Sequence, residues 1–282
     1  MIKARKVQEQ LKSVETIDSI THILESIASI RIGQIKNEVL GSREFFQRLW
    51  TIFSQLRVSD KDAKRTEAKP KNSRQAVILV TANAGLTGEV DTNLIKTVLS
   101  EVDPKQTDFF IFGLHGENIL VQYGVKPVKS FRFPEIGTPI DVSECVDIVS
   151  DYDKPVVYYP SYSSLSVQEI AKIELYGAVQ TIGGGNKDMV SEQVIFKDNC
   201  IFEPSISEVV NYLEQMMAGT ILTEIILESN LAQYSSRFSA MSVASTRASD
   251  TYRNLKKQYS RLKRYESDEA NRRYTKVGRV AI

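Results

Sequence analysis

Cysteine is scarce in this 282-residue chain. Cys145 and Cys200 are the only two, at a spacing that suits no metal, and a single pair is no disulfide framework. Both are expected to be reduced and structural, in a reducing compartment. The two histidines, His22 and His115, stand far apart, which leaves little for a metal cluster or a catalytic dyad. The net charge of +1 argues against a generally basic nucleic-acid binder. No apolar run is long enough to cross a bilayer, and the residues after Met1 show a charged helical pattern rather than a secretory leader. What remains is an ordinary water-soluble composition, 42% hydrophobic and 25% charged, with enough chain for one sizeable core or two smaller ones.

Helix breakers are also missing from most of the chain. All eight prolines fall between Pro70 and Pro204, and ten of the fourteen glycines between Gly85 and Gly185. The breakers mark out a central domain between two breaker-poor arms. The boundaries read as an N-terminal helical arm over 1–57, a polar linker over 58–74, a central α/β domain over 75–204, and a C-terminal helix with a basic tip over 205–282.

From Thr220 to Val277 there is no proline or glycine, and an apolar stripe runs through Leu227, Leu231, Tyr234, Phe238, Met241, Ala244, Ala248, Tyr252, Leu255, Tyr259 and Leu262. Spacings of three and four put these residues on one side of a helix about 85 Å long, expected to leave the globule. The first arm carries Val7, Leu11, Val14, Ile17, Ile20, Leu24, Ile27 and Ile30 or Arg31 on one side. It broadens at Phe45, Phe46, Leu49, Trp50, Phe53 and Leu56, where packing on a globular surface is expected. Each stripe is too long for its own neighbourhood, so the two arms are expected to pair as an antiparallel coiled coil. From Arg247 onward eleven Lys and Arg face four Asp and Glu, which makes one end of the long helix positive. Contact with an acidic partner surface is one meaning of that run, and a solvated helix face is the other.

Between the arms, strand and helix signals alternate. Strands are predicted at 76–81, 109–112 and 155–159, with helices at 89–101, 115–123, 143–151 and 167–176. A closing hairpin is predicted at 194–196 and 200–202, before Ser205 or Ser207 caps the long helix. Alternation of this kind favours a mostly parallel, Rossmann-like α/β sheet.

Catalytic chemistry is hard to find. The segment Thr81-Ala-Asn-Ala-Gly-Leu-Thr-Gly-Glu-Val-Asp-Thr-Asn93 is a glycine turn between strand and helix, a place where phosphates bind in other proteins. It lacks both the three-glycine dinucleotide spacing and the Gly-Lys-Ser/Thr ending, and Glu89 would repel an anion at the helix start. Gly183-Gly184-Gly185 reads as a loop with no basic or nucleophilic neighbour. Met216-Met217 and the tyrosines at 252, 259 and 265 read as packing residues. No cofactor or metal is implied.

The residues resemble the γ subunit of F-type ATP synthases over nearly the whole chain. Leu11-Lys12-Ser13-Val14, then Ile20-Thr21, Leu24-Glu25 and Ala28, look like that family's first helix. Gly85-Leu86-Thr87-Gly88 with Asn93-Leu94 is similar to its Asp-Arg-Gly-Leu-Cys-Gly-Gly-Leu-Asn segment, with Asn83-Ala84 in place of Asp-Arg, Thr87 of Cys and Glu89 of the last Gly. Gly113, Gly116 and Tyr123-Gly124-Val125 fit the following strand and helix, and Phe202-Glu203-Pro204 stands for Tyr-Glu-Pro. Arg237-Phe-Ser-Ala-Met241, with Ala244, Ala248, Leu255 and Tyr259, keeps the spacing of the Arg-Met-x-Ala-Met helix.

The resemblance implies a rotor shaft with no catalytic site of its own: a central-stalk subunit that couples ion flow through a membrane ring to ATP synthesis or hydrolysis on β subunits. It implies one chain per three α and three β subunits, with the ε subunit and the c-ring as further partners, no nucleic acid, and a peripheral place on the cytoplasmic face of the cell membrane or its organelle equivalent. Coupling contacts to α and β would come from Leu24, Arg31, Arg237, Met241, Lys263 and Arg264, and Arg43 and Glu203 would face the c-ring and ε. Arg264, Asp268 and Ala270 replace the family's usual Gln, Thr and Glu in the catch on β, Leu24 replaces Met, and Glu44 a proline. The tail from Arg272 is more basic than the family's. Two other readings stay open on the residues alone, a nucleotide-binding α/β enzyme with helical oligomerisation arms and a non-rotating coiled-coil scaffold.

Overall fold

Strand β1 (Gln75–Val80) is buried at every residue after Gln75, so both of its faces are apolar, as a central parallel strand requires. The structure is a computed structural model that describes residues 4–59, 72–133, 140–184, 203 and 205–280. Around β1 a five-stranded sheet runs in the order β3-β2-β1-β4-β5. Strands β2 (Thr107–Phe112) and β4 (Val156–Tyr162) pair with β1 in parallel, and β3 (Lys129–Phe131) pairs in parallel with β2. The last strand, β5 (Gln168–Glu174), is antiparallel to β4.

Alternate residues of the strands feed two cores. Val77, Leu79, Phe109, Ile111 and Tyr158 pack with Leu94, Ile95 and Val98 of α2 (Val90–Glu101) and Leu120 of α3 (Leu114–Gln122). Ala76, Ile78, Val80, Phe110, Phe112 and Val157 pack on the other face. They meet α4 (Ser143–Val149), α5 (Leu175–Gly184) and stretches of two long helices, α1 (Ala4–Ser59) and α6 (Ile206–Val280). From α1 come Phe46, Leu49 and Phe53; from α6 come Met217, Ala218, Ile221, Leu222, Ile225 and Ile226. Each large apolar side chain among them, fully buried, stabilises the fold by about 1.5–3 kcal/mol. At the start of α6 the Ser205 hydroxyl accepts from the Glu208 N–H at 3.3 Å, the cap read from the sequence.

Two compact units result, one formed by residues 29–236 and the other by residues 1–28 with 237–282. The first unit thus takes in parts of both long helices as well as the sheet. In the second unit α1 and α6 run antiparallel. The Ala4 N–H donates to Glu266 at 3.2 Å, and Asp18 Oδ1 accepts from Ser245 at 3.2 Å and from Ser249 at 3.0 Å. Glu266 so satisfies a backbone donor left open at the first turn of α1 and places a negative charge at its dipole's positive end.

Several expectations need correction. The helix predicted over 167–176 is strand β5, followed at Leu175 by α5. Its seven-residue register with β4 outweighs local propensity, as edge pairing often does. Gly183 and Gly184 close α5 rather than forming a loop. The segment after Tyr123 contains β3, too short to signal itself. The predicted hairpin at 194–202 and most of the polar linker lie outside the described residues.

The stripe assigned to α1 is also displaced. Up to Val14 it is correct: Val7 is buried, and Leu11 and Val14 are half-buried. Beyond that point the side facing α6 carries Asp18, Thr21, Glu25 and Ala28, while Ile17, Ile20 and Ile27 are exposed. Ile30, in the other unit, is exposed as well. The buried set keeps an unbroken 3-4 repeat from Ala4 to Ala28, and the isoleucines belong to the neighbouring repeat one residue earlier. On α6, Ser245 and Ala248 are buried in turn, and Ser245 is one of the two donors to Asp18.

Candidate partner-binding site

A polar buried cluster forms where β1 gives way to α2. Gly88 (φ 63°) and Leu86 (φ 66°) turn the chain, and the carboxylate of Asp91, 1% exposed, points back into the loop. Asp91 accepts from the Ala82 N–H at 3.3 Å, from the Thr87 hydroxyl at 3.5 Å and from His115 Nδ1 at 2.7 Å. With a carboxylate as partner, Nδ1 of His115 is the donor. The Ser236 hydroxyl of α6 donates to the Thr87 carbonyl at 2.7 Å. A hydrogen-bonded path therefore runs from α6 through the loop to α3. Two histidines far apart in the chain carry no signal of this pair: the partner of His115 is an aspartate 24 residues earlier, on the preceding helix.

This place is the switch point of the sheet, where β1 leads outward to β2 on one side and β4 on the other, and where α/β enzymes hold nucleotides. Here α6 occupies it. Besides Ser236 on the loop after β1, Glu228 of α6 accepts from Ser161, near the end of β4, at 2.5 Å. Ser229, Asn230, Gln233 and Ser235 are buried along the same stretch. Polar side chains on a buried helix take partners where they can: Gln233 donates to Ser229 Oγ at 2.9 Å and Ser235 to the Leu231 carbonyl at 2.7 Å. The close approach of α3 to β1 depends on glycine. Gly113 has φ 102°, and a Cβ on Gly116 would lie 2.2 Å from Thr81 Oγ1.

The residues implied as coupling contacts lie in different settings. Leu24 is half-buried, Met241 is 7% exposed on the α6 side of the helix pair, and Arg237 is half-buried. Lys263 and Arg264 are exposed, and so are most of the charged residues whose side chains are described from Arg253 onward. Arg31 belongs to the other unit, half-buried, and donates to Gln34 at 2.9 Å. Glu203 is exposed. Arg43 lies within α1, but its side chain is outside what the structure describes. Of the tyrosines read as packing residues, Tyr252 and Tyr259 are half-buried and Tyr265 is exposed.

Cys145 is buried in α4, and burial pushes its thiol up to about 12, which makes it a poor nucleophile. Cys200 lies outside the described residues. Among the described residues no helix is long and apolar enough to cross a membrane.

A family model described as ATP synthase matches residues 3–266. The chain is similar to the ATP synthase gamma chain of Mycoplasmoides gallisepticum, 23% identical over 279 residues, with 93% of this chain and 94% of that one covered. The gamma chain of Chloroherpeton thalassium is 24% identical, with 93% of each covered. Among solved structures, the rotor of Euglena gracilis mitochondrial ATP synthase shares the fold with a TM-score of 0.59 at 13% identity, over 93% of this chain and 98% of that one. The central stalk and c-ring structure of Tetrahymena thermophila mitochondrial ATP synthase contains a chain matched with a TM-score of 0.55 at 16% identity, over 80% and 99%. A doubly wound sheet whose switch point is filled by its own C-terminal helix, joined to an antiparallel pair of terminal helices and matched along almost its full length, belongs to the ATP synthase gamma-chain family.

Proposed function

We propose that this chain is the central-stalk rotor subunit of an F-type ATP synthase or ATPase and couples ion translocation through a membrane c-ring to ATP synthesis or hydrolysis on β subunits. One chain would serve three α and three β subunits, beside ε and the c-ring, on the cytoplasmic face of the membrane and peripheral to it. The observation that carries this reading is the antiparallel pairing of the two chain ends in a member of the gamma-chain family. A shaft must resist twisting, and two paired continuous helices do so without loops to absorb the strain.

Catalysis in this reading belongs to the partners. The crevice where an α/β enzyme would bind a nucleotide holds Ser236 and Glu228 of α6 instead, which speaks against the enzyme alternative. Lys263 and Arg264, exposed on α6, supply charge for contact with acidic elements of α and β. Leu24, Arg237 and Met241 of the helix pair, and Arg31 of the other unit, would be further coupling contacts to α and β, while Arg43 and Glu203 would face the c-ring and ε.

Purification of the native complex through a tag on this chain tests the proposal. The expected result is one copy with six ring subunits and ATPase activity in the preparation. Recovery of the chain as a self-associated oligomer with no ATPase partner would overturn it.

A further inference from the structure

Two polar contacts key α6 into the α/β unit: Ser236 donates to the Thr87 carbonyl in the loop after β1, and Glu228 accepts from Ser161 of β4. Between them the helix surface is smooth. Ser229, Ala232 and Ser235 are fully buried, and side chains this small offer only shallow ridges for a neighbouring surface to grip. Apolar burial holds the helix on the sheet, but it is non-directional and does little to stop the helix turning about its own axis. Hydrogen bonds are directional and do oppose such a turn.

The acceptor for Ser236 is aimed by strained backbone. Thr87 stands between Leu86 (φ 66°) and Gly88 (φ 63°), and Leu86 is the one non-glycine residue with positive φ among the described residues. Leu86 is 60% exposed, so its own burial does not offset the strain. A conformation of this kind persists only where the surroundings over-determine it. Here they do: the Thr87 hydroxyl donates to Asp91, which also accepts from the Ala82 N–H and from His115. On the other side of the turn Asn83 exchanges two hydrogen bonds with the backbone of Phe133, at 2.9 and 3.1 Å. A Cβ on Gly88 would lie 3.5 Å from Ser236 Oγ, so α6 rests directly against this turn.

The two contacts are eight residues apart on α6, about 12 Å along its axis and about 80° around it. They reach different strands, so no rotation of α6 about its axis keeps both. We propose that Ser236 and Glu228 are positioning residues that fix the rotational setting of α6 in the α/β unit, so that turning of α6 is passed to that unit rather than lost as slip. This rests on the rotor reading above. The Asp91–His115 pair acts through Thr87, as the brace that keeps its carbonyl on Ser236.

The test is ATP-driven ion pumping by the reconstituted complex, with hydrolysis and pumping read together against a rising opposing gradient. Hydrolysis that moves no ions is slip. In the double variant Ser236→Ala with Glu228→Leu, slip is expected to rise at least about threefold over the parent, the rate ratio that follows from removing two directional bonds. Glu228→Gln keeps an acceptor for Ser161 and should stay within about 1.5-fold of the parent. So should Ile226→Val, which loosens the same core without touching either bond. Slip in the double variant no greater than the parent's would overturn the proposal. Slip in Ile226→Val as large as in the double variant would make ordinary packing the cause and overturn it too. If the double variant does not assemble, Ser236→Ala alone, set against Ile226→Val, gives the same two readings. A parent chain that co-purifies with no ATPase would overturn the rotor reading and this proposal together, and that result is seen before any variant is made.

Discussion

The carboxylate of Asp18 accepts a hydrogen bond from the hydroxyl of Ser249, 231 residues later in the chain, at 3.0 Å, and a second from Ser245 at 3.2 Å. A polar layer inside a helix pair contributes less stability than leucine would, and it holds only where both partners align, so it selects one register. Asp18→Leu should therefore raise the thermal stability of the helix pair and broaden its register. Spin labels at the exposed positions Lys12→Cys and Lys257→Cys check this: a narrow distance distribution is expected in the parent, and a broad or split one in the Asp18→Leu variant. A distribution that stays narrow in a destabilised variant would show that the layer merely holds the helices together.

The Asp91 cluster should be costly to disturb. Asp91→Ala removes the acceptor for the Ala82 N–H, the Thr87 hydroxyl and His115 at once, leaving buried donors unpaired at about 1–3 kcal/mol. Urea denaturation measures the loss. Ser236→Ala should cost about 1 kcal/mol, because only one bond is removed and the Thr87 carbonyl loses its donor. Equal stability of the Asp91 variant and the parent would mean that the cluster is solvated in solution.

Glycine at 113 is demanded by two independent constraints. Its φ is 102°, and a Cβ would lie 2.3 Å from the Thr81 carbonyl oxygen. Gly113→Ala should destabilise the α/β unit by about 3 kcal/mol. Gly33→Ala, at a helical position with nothing near the new methyl, should stabilise by about 0.5–1 kcal/mol. Comparative thermal melts of the two variants give opposite signs if the backbone is as described.

Alkaline conditions should weaken the fold through groups held protonated by burial. Burial pushes Cys145 up to about 12, and likewise Tyr152, where the Asp108 acceptor adds to it, and Tyr159, where the charges of Glu228 and Glu224 do. Folded-state values above the unfolded ones mean that this stability is complete below the unfolded values and is lost as pH rises through the folded ones, roughly from pH 9 to 12. Cys145→Val removes the part that begins lowest. Urea midpoints of the variant should fall less steeply than the parent's between about pH 8 and 10, and identical slopes would count against a buried thiol.

Charge reversal at Lys263 and Arg264 separates contact from folding. Both side chains are exposed, so Lys263→Glu with Arg264→Glu should move stability by no more than about 0.5 kcal/mol. In the assembled complex the same double variant should lower ion pumping per ATP hydrolysed. Unchanged pumping with a marked loss of stability would place these residues in the fold rather than at the coupling surface.

How far the fold could be read from the chain depended on how local its determinants were. Strands β1, β2 and β4 announce themselves as short apolar runs between turns, and α2 and α3 as periodic segments each preceded by a glycine, because a buried parallel strand and its covering helix each need a continuous local pattern. Strand β5 did not, since half of its residues are polar and its identity comes from pairing with β4. The Asp91–His115 pair joins two helices that the sequence keeps apart, and nothing in the spacing of either residue points to the other. The stripe on α1 misled for a different reason. Apolar periodicity marks the side of a helix that avoids water, whichever molecule covers it, and on α1 the largest side chains are not the ones that meet α6.

Composition and periodicity by themselves determined that two long helices flank an α/β domain, because the distribution of proline and glycine limits where a helix can run and where the chain can turn. The order and spacing of a few short motifs were enough to mark the family. Only the tertiary structure decided which of two adjacent repeats on α1 packs against α6, that α6 fills the crevice a nucleotide would need, and which carboxylate holds His115. Those outcomes turn on side-chain volume and on hydrogen bonds between residues far apart in the chain, and a one-dimensional pattern carries neither.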